Sequence, residues 1–388
     1  MGVVIHKDIQ SIGNEIISNR RHLHKNPELG FQEVDTASFI AKELNEMGLD
    51  VEEGVGKTGV IGVLDCGKGP CIGLRADMDA LPIQEVGNHD YKSLNDGVMH
   101  ACGHDGHVAM LLGAAKIIAK QIKDLKGVVK FIFQPAEEGL GGARLMIEDG
   151  VLENPKIDEI YGIHLWNYQP FGTVGVLSGA VLAAADEFLI TIKGKGGHGG
   201  APHGTVDAIV IASHLITALQ TIISRNTNPL ESTALSIGII DGGYNYNIIA
   251  DEVVLKGTAR SYTEENRNMI FERIKEISSG LSVSFSADIE VDYHDGYPIT
   301  VNNKDQSEKV KIAASNVVGD GVQPAYLTMG AEDMSYYLQK VPGCFFFIGS
   351  APVGETVPHH CSHFDINEDA LLVGSSIWVE MVEGLLKR

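Results

Sequence analysis

Basic residues are scarce in this chain: 30 Lys and Arg face 51 Asp and Glu, a formal net charge of -21 at pH 7. A field of that sign repels phosphate backbones, which argues against a nucleic-acid partner. Cysteine is sparse too. Five scattered residues are too few, and odd in number, for a secreted disulfide framework. Cys66 and Cys71 flank the short turn of LDCGKGPCIG and could pair or stay reduced. The opening MGVVIHKDIQSIGNEI lacks the basic start and apolar run of a signal peptide. His6 breaks the myristoylation pattern that Gly2 would begin. No apolar stretch reads as long enough to cross a bilayer, and no internal repeat or low-complexity tract is visible. The expectation is a cytoplasmic protein with neither a membrane nor a nucleic-acid partner.

What is present suits a folded enzyme. Hydrophobic content of 44% and charged content of 21% over 388 residues allow a substantial core and two domains. Residues from about Asp8 to Gly48 read as two amphipathic helices broken at KNPELG. The β-rich runs GVIGVLDC and CIGLRADMDA follow. HVAMLLGAAKIIAKQI is helical, with Val108, Leu111, Leu112, Ala115, Ile118, Ala119 and Ile122 on one stripe. GVVKFIF is a buried-strand run, LGGARLMIEDG a short helix and IDEIYGIHL another strand. Such alternation predicts an α/β domain with a mostly parallel central sheet flanked by helices. Beyond Gly179 the order becomes strand, helix, strand, strand, helix, strand, ending at VSFSADIEVDY, which is a compact ferredoxin-like α+β unit. After GYPITVNN the α/β character returns with a helix, CFFFIG and a last helix from Asn367. The expected architecture is a split α/β domain, 1–179 and 293–388, interrupted by an inserted smaller α+β domain, 180–292.

The chemistry concentrates in VMHACGHDGHVAML, which holds His100, Cys102, His104 and His107. Cys102 and His104 are two apart and would leave the same face of an extended segment. They precede a helix, in the crevice region where open α/β sheets bind ligands. In FIFQPAEEGLGG a very apolar strand ends in adjacent carboxylates, Glu137 and Glu138. Neighbouring side chains in irregular backbone point different ways, so one can hold a metal while the other faces a reacting water. His164 stands at the strand end of IYGIHLWN, and VPHHCSHFDINEDAL supplies His359, His360 and His363. Cys102, His104, Glu138, His164 and one late His offer sulfur, nitrogen and oxygen donors that suit zinc or a similar transition metal. Five donors exceed one tetrahedral site, so two metals clamping a water, as in hydrolases, are plausible. A nucleophilic Cys102 would leave Glu137, Glu138 and His164 without a role. His100 and His107 read as supporting or packing residues, and His22, His24 and His203 as structural. GKGGHGG lacks the Lys-Ser/Thr ending of a phosphate loop.

Taken together, GLRADMDALPI, MHACGHDGH, FQPAEEGLGGA, GIHLW, GKGGHGGAPH and MGAEDMSYYLQKVPGCFFFIG resemble the metal-dependent amidohydrolase and peptidase family. That family holds aminoacylases, hippurate hydrolase, auxin–amino acid conjugate hydrolases and some carboxypeptidases. The resemblance runs from about Ile16 to Leu386. It implies two divalent transition metals per subunit (zinc, manganese, cobalt or nickel) held by Cys102, His104, Glu138, His164 and His360. It implies Glu137 as general base and Asp77 as a supporting acid beside the metals. It implies His198 as a transition-state-stabilising residue given by the partner subunit, and Asn247 and Arg260 as substrate-binding residues. The inserted domain would then act as lid and dimerisation domain of a homodimer or dimer-based oligomer.

The chain departs from many distant relatives at Arg75, where they have His, and at Cys102, where they have a bridging carboxylate. HHCSH and Ala250 also replace more usual residues. Arg75 and Cys102 place it in the Cys-containing branch, whose members act mainly on N-acyl amino acids. The implied reaction is hydrolysis of an N-acyl amino acid (N-acetyl, N-benzoyl or similar). A carboxypeptidase or dipeptidase acting on short peptides by the same chemistry is the rival. A catalytically silent binding protein is a third reading, and the intact Glu137 argues against it.

Overall fold

The apolar run Val128–Gln134 lies inside a mixed eight-stranded sheet in the computed structural model, which describes residues 2–352, 354 and 357–387. Across the sheet the strands are Asp50–Val55, Gly59–Asp65, Val128–Gln134, Cys71–Asp77, Glu159–Pro170, Gly343–Ala351, Val174–Gly175 and Val322–Gln323. The centre, from Val128–Gln134 to Gly343–Ala351, is parallel throughout. The antiparallel pairings flank it. Strands covered on both faces need apolar side chains on both, and Phe131, Phe133, Phe345, Phe346 and Phe347 are all fully buried. Ile16, Leu112, Leu371 and Trp378, from three helices, share one core with Phe131 and Phe346. No disulfide joins Cys66 to Cys71.

The helix that follows the His/Cys cluster differs from its sequence reading. It spans His104–Lys120 and is buried almost all round, His104, Asp105, Gly106 and His107 included. A helix enclosed on every side carries no single stripe. Ile122, read as part of a stripe, lies beyond the helix end and is 38% exposed.

Residues Leu182–Thr300 and Thr328–Glu332 form a second compact unit. Its antiparallel sheet runs Thr233–Gly242, Glu252–Ser261, Ala184–Lys193, Asp288–Tyr297. Helices Ala208–Thr221 and Glu264–Phe285 pack on it through Ile211, Leu215, Leu219, Ile270 and Ile274. Asp207 and Thr263 cap these helices by accepting from backbone N–H groups of the first turn. VSFS, read as the start of a strand, instead extends the second helix to Phe285. The left-handed Ser286 (φ 54) ends that helix, and the strand begins at Asp288. Contrary to the sequence reading, Ala208–Asn226 is long and apolar enough to span a bilayer by length and composition. Ala208, Ile211, Ala212, Leu215, Leu219 and Ile222 from it fill the second unit's core, which accounts for that hydropathy.

Candidate metal centre

Neighbouring parallel strands bring the first candidates to one level. Arg75 pairs with both Ile132 and Gly162, so Asp77 and His164 each stand two residues further along adjacent strands. Glu137 and Glu138 follow Gln134, which pairs with Asp77. His164 is in mid-strand, since its strand continues to Pro170. Cys102 and His104 do not share an extended segment. Gly103 takes a left-handed conformation (φ 91) and His104 is the first helical residue, so a glycine kink makes their side chains converge.

The donor atoms of Cys102, His104 and His164 lie within 4.8 Å of one another, as do those of Cys102, Glu138 and His360, and those of His104, Glu137 and Glu138. These overlapping groups form one constellation. The Cys102 Sγ is 3.5 Å from His164 Nε2. Glu138 Oε1 is 3.2 Å from His360 Nε2 and 3.9 Å from His104 Nε2. Imidazole orientation is fixed from behind. With its proton on Nδ1, His104 donates to the Asp79 carbonyl at 2.9 Å and His164 to the Leu165 carbonyl at 2.6 Å. The Nε2 lone pairs then point into the cluster, as metal-ligating imidazoles require. His104 Nε2 and Glu138 Oε1 are buried without an aligned hydrogen bond, although Glu138 Oε1 keeps its ion-pair contact with His360. An orphaned buried polar atom costs about 1–3 kcal/mol, and a shared cation removes that cost. Sulfur, nitrogen and oxygen donors with such an orphan among them fit a divalent transition metal.

His359 and His360 part ways. His359 Nε2 accepts the Asn167 N–H at 3.2 Å, and its Nδ1 lies 3.7 Å from Cys102 Sγ. Its ring packs against Trp166 and Phe364. Both its nitrogens are thereby engaged. His360, with φ 61 and its N–H donated to the Ala101 carbonyl at 2.8 Å, is the late His that reaches Glu138.

Of the supporting groups, Asp79 and Glu33 were not singled out in the sequence, whereas His107 and Arg75 were. Both oxygens of Asp79 accept backbone N–H groups, from Glu137 and Glu138, each at 3.0 Å. Glu33 accepts the N–H of Ala136 at 2.9 Å, holding that residue at φ 53. His107 donates from Nδ1 to Asp77 at 2.5 Å and accepts the Leu165 N–H on Nε2 at 2.8 Å. Arg75 donates to Asp77 at 2.7 Å, to Gln134 at 2.8 Å and to Asp333 at 2.8 Å. The one sequence signal for Asp79 was its place as the second acid of RADMD.

Charge follows this wiring. Burial alone would raise the pKa of Asp77, yet His104, His107 and Arg75 hold it well below the usual carboxylate range. Burial disfavours a charge on His104, but Asp77 and Asp79 outweigh it and raise its pKa well above that of free imidazole. Burial keeps His164 well below that value and lowers His359 to about 3. His360, beside the Cys102 thiol and Glu138, is pushed up to about 10. Burial and the Glu138 carboxylate raise the Cys102 thiol, and a bound cation reverses that direction.

His198, Asn247 and Arg260 lie in the second unit. Gly197–His198 pairs with Ile248–Ile249, and the Gly199 N–H donates to the Asn247 carbonyl at 2.8 Å, so His198 and Asn247 are neighbours. His198 Nδ1 accepts the Gly200 N–H at 2.9 Å, which places its proton on Nε2. Arg260 is half-buried on Glu252–Ser261. Its neighbour Asp186 is already committed to Arg267, at 2.9 and 2.6 Å.

Residues 73–384 match the model of peptidase family M20/M25/M40. The chain is 42% identical over 380 residues to the N-acetyl-L-cysteine deacetylase of Bacillus subtilis (strain 168), covering 98% of this chain and 90% of that one. It is 42% identical over 376 residues to thermostable carboxypeptidase 2 of Saccharolobus solfataricus, covering 95% and 94%. The solved structure of the Bacillus subtilis YXEP protein, described as a dinuclear metal binding peptidase from M20 family, aligns with a TM-score of 0.85 at 34% identity, covering 96% of this chain and 98% of that one.

Proposed function

Because the chain belongs to peptidase family M20/M25/M40, we propose that it is a metal-dependent amidohydrolase that splits N-acyl amino acids into a carboxylate and the free amino acid. The observation that carries this reading is the convergence of the Cys102, His104, Glu138, His164 and His360 donor atoms, with His104 Nε2 buried and unpartnered among them. Cys102, His104, Glu138, His164 and His360 hold two divalent ions. When bound, these ions acidify a water and polarise the amide carbonyl. Glu137, whose carboxylate falls within the same cluster, takes the proton from the attacking water and returns one to the leaving amine. Asp77 and Asp79 keep the imidazoles and the Glu137–Glu138 turn in place. His198, with its proton on Nε2, donates to the developing oxyanion from the partner subunit. Arg260 pairs with the substrate carboxylate, which a guanidinium grips bidentately, and Asn247 adds a polar contact.

The edge strand Thr233–Gly242 supports a homodimer. It leaves Ile239 and Ile240 51% and 62% exposed, and unpaired edges of this kind invite pairing between chains. Five scattered cysteines, odd in number, do not form a secreted disulfide framework, which supports a cytoplasmic setting. A carboxypeptidase is the second reading, favoured by equal identity to thermostable carboxypeptidase 2.

Metal-stripped protein reloaded with zinc, manganese, cobalt or nickel, assayed on N-acetyl, N-benzoyl and dipeptide substrates, separates these readings. Faster turnover of the acyl amino acids supports deacylation, and faster turnover of dipeptides supports the second reading. Glu137→Gln should keep its metals and lose about 10²–10⁴-fold in rate. Full activity in strong chelator, or an unimpaired Glu137→Gln enzyme, refutes the scheme.

A further inference from the structure

A second group of ligand-type side chains converges in the same unit, apart from the centre described above. His24 stands near the end of helix Gly13–Lys25, and Glu85 and His89 lie in the irregular segment between Leu81 and Met99. Their donor atoms lie within 4.8 Å of one another. His24 Nε2 is 3.4 Å from Glu85 Oε1, and His89 Nε2 is 2.7 Å from the same oxygen. Ligands of a tetrahedral zinc, with bonds near 2.1 Å, stand about 3.4 Å apart. His24 already meets that spacing, and His89 needs a small outward shift.

We propose that His24, Glu85 and His89 bind a further divalent transition-metal ion, with zinc as the representative case. The orientation of His24 is the first argument. Its Nδ1 donates to Asp105 Oδ2 at 2.7 Å, and Asp105 is itself held by Arg20 Nε at 2.8 Å. A carboxylate behind an imidazole fixes the tautomer and presents Nε2 as a lone pair, the arrangement found behind metal-ligating histidines. Nε2 is the nitrogen that faces Glu85, at 3.4 Å from Oε1.

The other two donors are also aimed. Glu85 Oε2 accepts the Ser93 N–H at 2.7 Å, which leaves Oε1 for the two imidazoles. His89 Nε2 is a buried atom with no hydrogen-bond partner, although Glu85 Oε1 is so near. The two atoms are close without the alignment that shares a proton. Gly87 makes this fold-back possible, since a Cβ there would meet His89 Cε1 at 2.7 Å. Beside them His100 is 1% exposed, lacks a partner on both ring nitrogens, and has its ring centre 6.4 Å from that of His24.

Charge and access agree. Asp105, Asp365 and Glu368 surround the guanidiniums of Arg20 and Arg21, and Glu85 faces His24 and His89. These four carboxylates outnumber the two guanidiniums even with a charged His24 counted, which favours a cation beside Glu85. The His89 side chain is 21% exposed and gives the ion a way in. The ion would tie the first long helix and the 82–98 segment to the helix that begins with His104, because Asp105 is that helix's second residue. Metal binding of this kind adds directly to folding stability.

The test uses the full chain, stripped by chelator and titrated with zinc alone. Zinc per chain is measured by elemental analysis after gel filtration, alongside the thermal midpoint. His89→Ala and Glu85→Gln should each hold one zinc fewer than the unsubstituted chain. In a Cys102→Ala background, zinc should still raise the midpoint, and adding His89→Ala should abolish that rise. Glu85→Gln nearly preserves shape, so it decides the matter if His89→Ala misfolds. Equal zinc content in the unsubstituted chain, His89→Ala and Glu85→Gln overturns the proposal. Loss confined to Cys102→Ala overturns it too, while sparing the catalytic reading. Loss confined to His89→Ala and Glu85→Gln supports it and removes Cys102 from metal binding.

Discussion

Asp79 holds three other residues at once. Its carbonyl orients His104, and its carboxylate oxygens receive the N–H groups of Glu137 and Glu138. Asp79→Asn keeps the size but replaces one acceptor oxygen with an NH₂ group, so one of those two N–H groups loses its partner. Losing an outer partner of this kind costs about 10–100-fold in metal affinity or activity. Competition with a chromophoric chelator should show that weakening, and kcat/KM should fall with it. Unchanged affinity would reduce Asp79 to a bystander. Cys102, His104, Glu137, Glu138 and His164 were legible because their side-chain chemistry is scarce and the sequence sets them in recognisable surroundings. Asp79 was not, and neither was the role of His359, which the sequence offered only as one of three late histidines. Each acts by accepting backbone N–H groups 58, 59 and 192 residues away along the chain, and no local pattern encodes a partner that distant.

Among the elements, the turn that carries Glu137 and Glu138 is tightly constrained. A Cβ on Gly142 would stand 1.7 Å from the Pro135 carbonyl oxygen, and Gly139 and Gly141 have φ of 83 and 72. Gly142→Ala therefore has to open the turn. Forcing a methyl into a filled site costs about 1–3 kcal/mol. A lower urea midpoint together with poorer zinc retention is the expected outcome. A lower midpoint with normal zinc retention would mean that the strain is absorbed away from the two carboxylates. Gly48→Ala serves as a control for left-handed strain alone, since it has φ 81 and nothing within 4 Å of the added carbon. The helix His104–Lys120 shows why boundaries are harder to read than elements. Its first turn holds His104, Asp105, Gly106 and His107, all buried. Apolar periodicity is blind to polar residues inside a core, so the helix appeared to begin three residues late.

For the whole molecule, the alternation of strands and helices revealed an α/β body interrupted by an α+β unit, because each half has its own period. The pairing of Glu159–Pro170 with Gly343–Ala351 was not visible in that way, since parallel neighbours leave no trace in local sequence. The trans role proposed for His198 belongs at this scale. His198→Ala and Glu137→Ala should each be nearly inactive as homodimers. A mixed dimer should regain activity, because one of its sites joins an intact Glu137 to the partner's intact His198. Mixed dimers no better than their parents would place His198 in service of its own chain. The Glu159–Pro170 pairing also bears on biosynthesis. That strand leaves the ribosome about 180 residues ahead of the neighbour that completes its edge, roughly ten to forty seconds at ordinary translation rates. Throughout that interval a long apolar edge stays open while Leu182–Thr300 folds, and the second unit is complete only once Thr328–Glu332 has emerged. Nascent chains of this protein should therefore be most vulnerable to aggregation, and most in need of a chaperone, just before Gly343–Ala351 emerges.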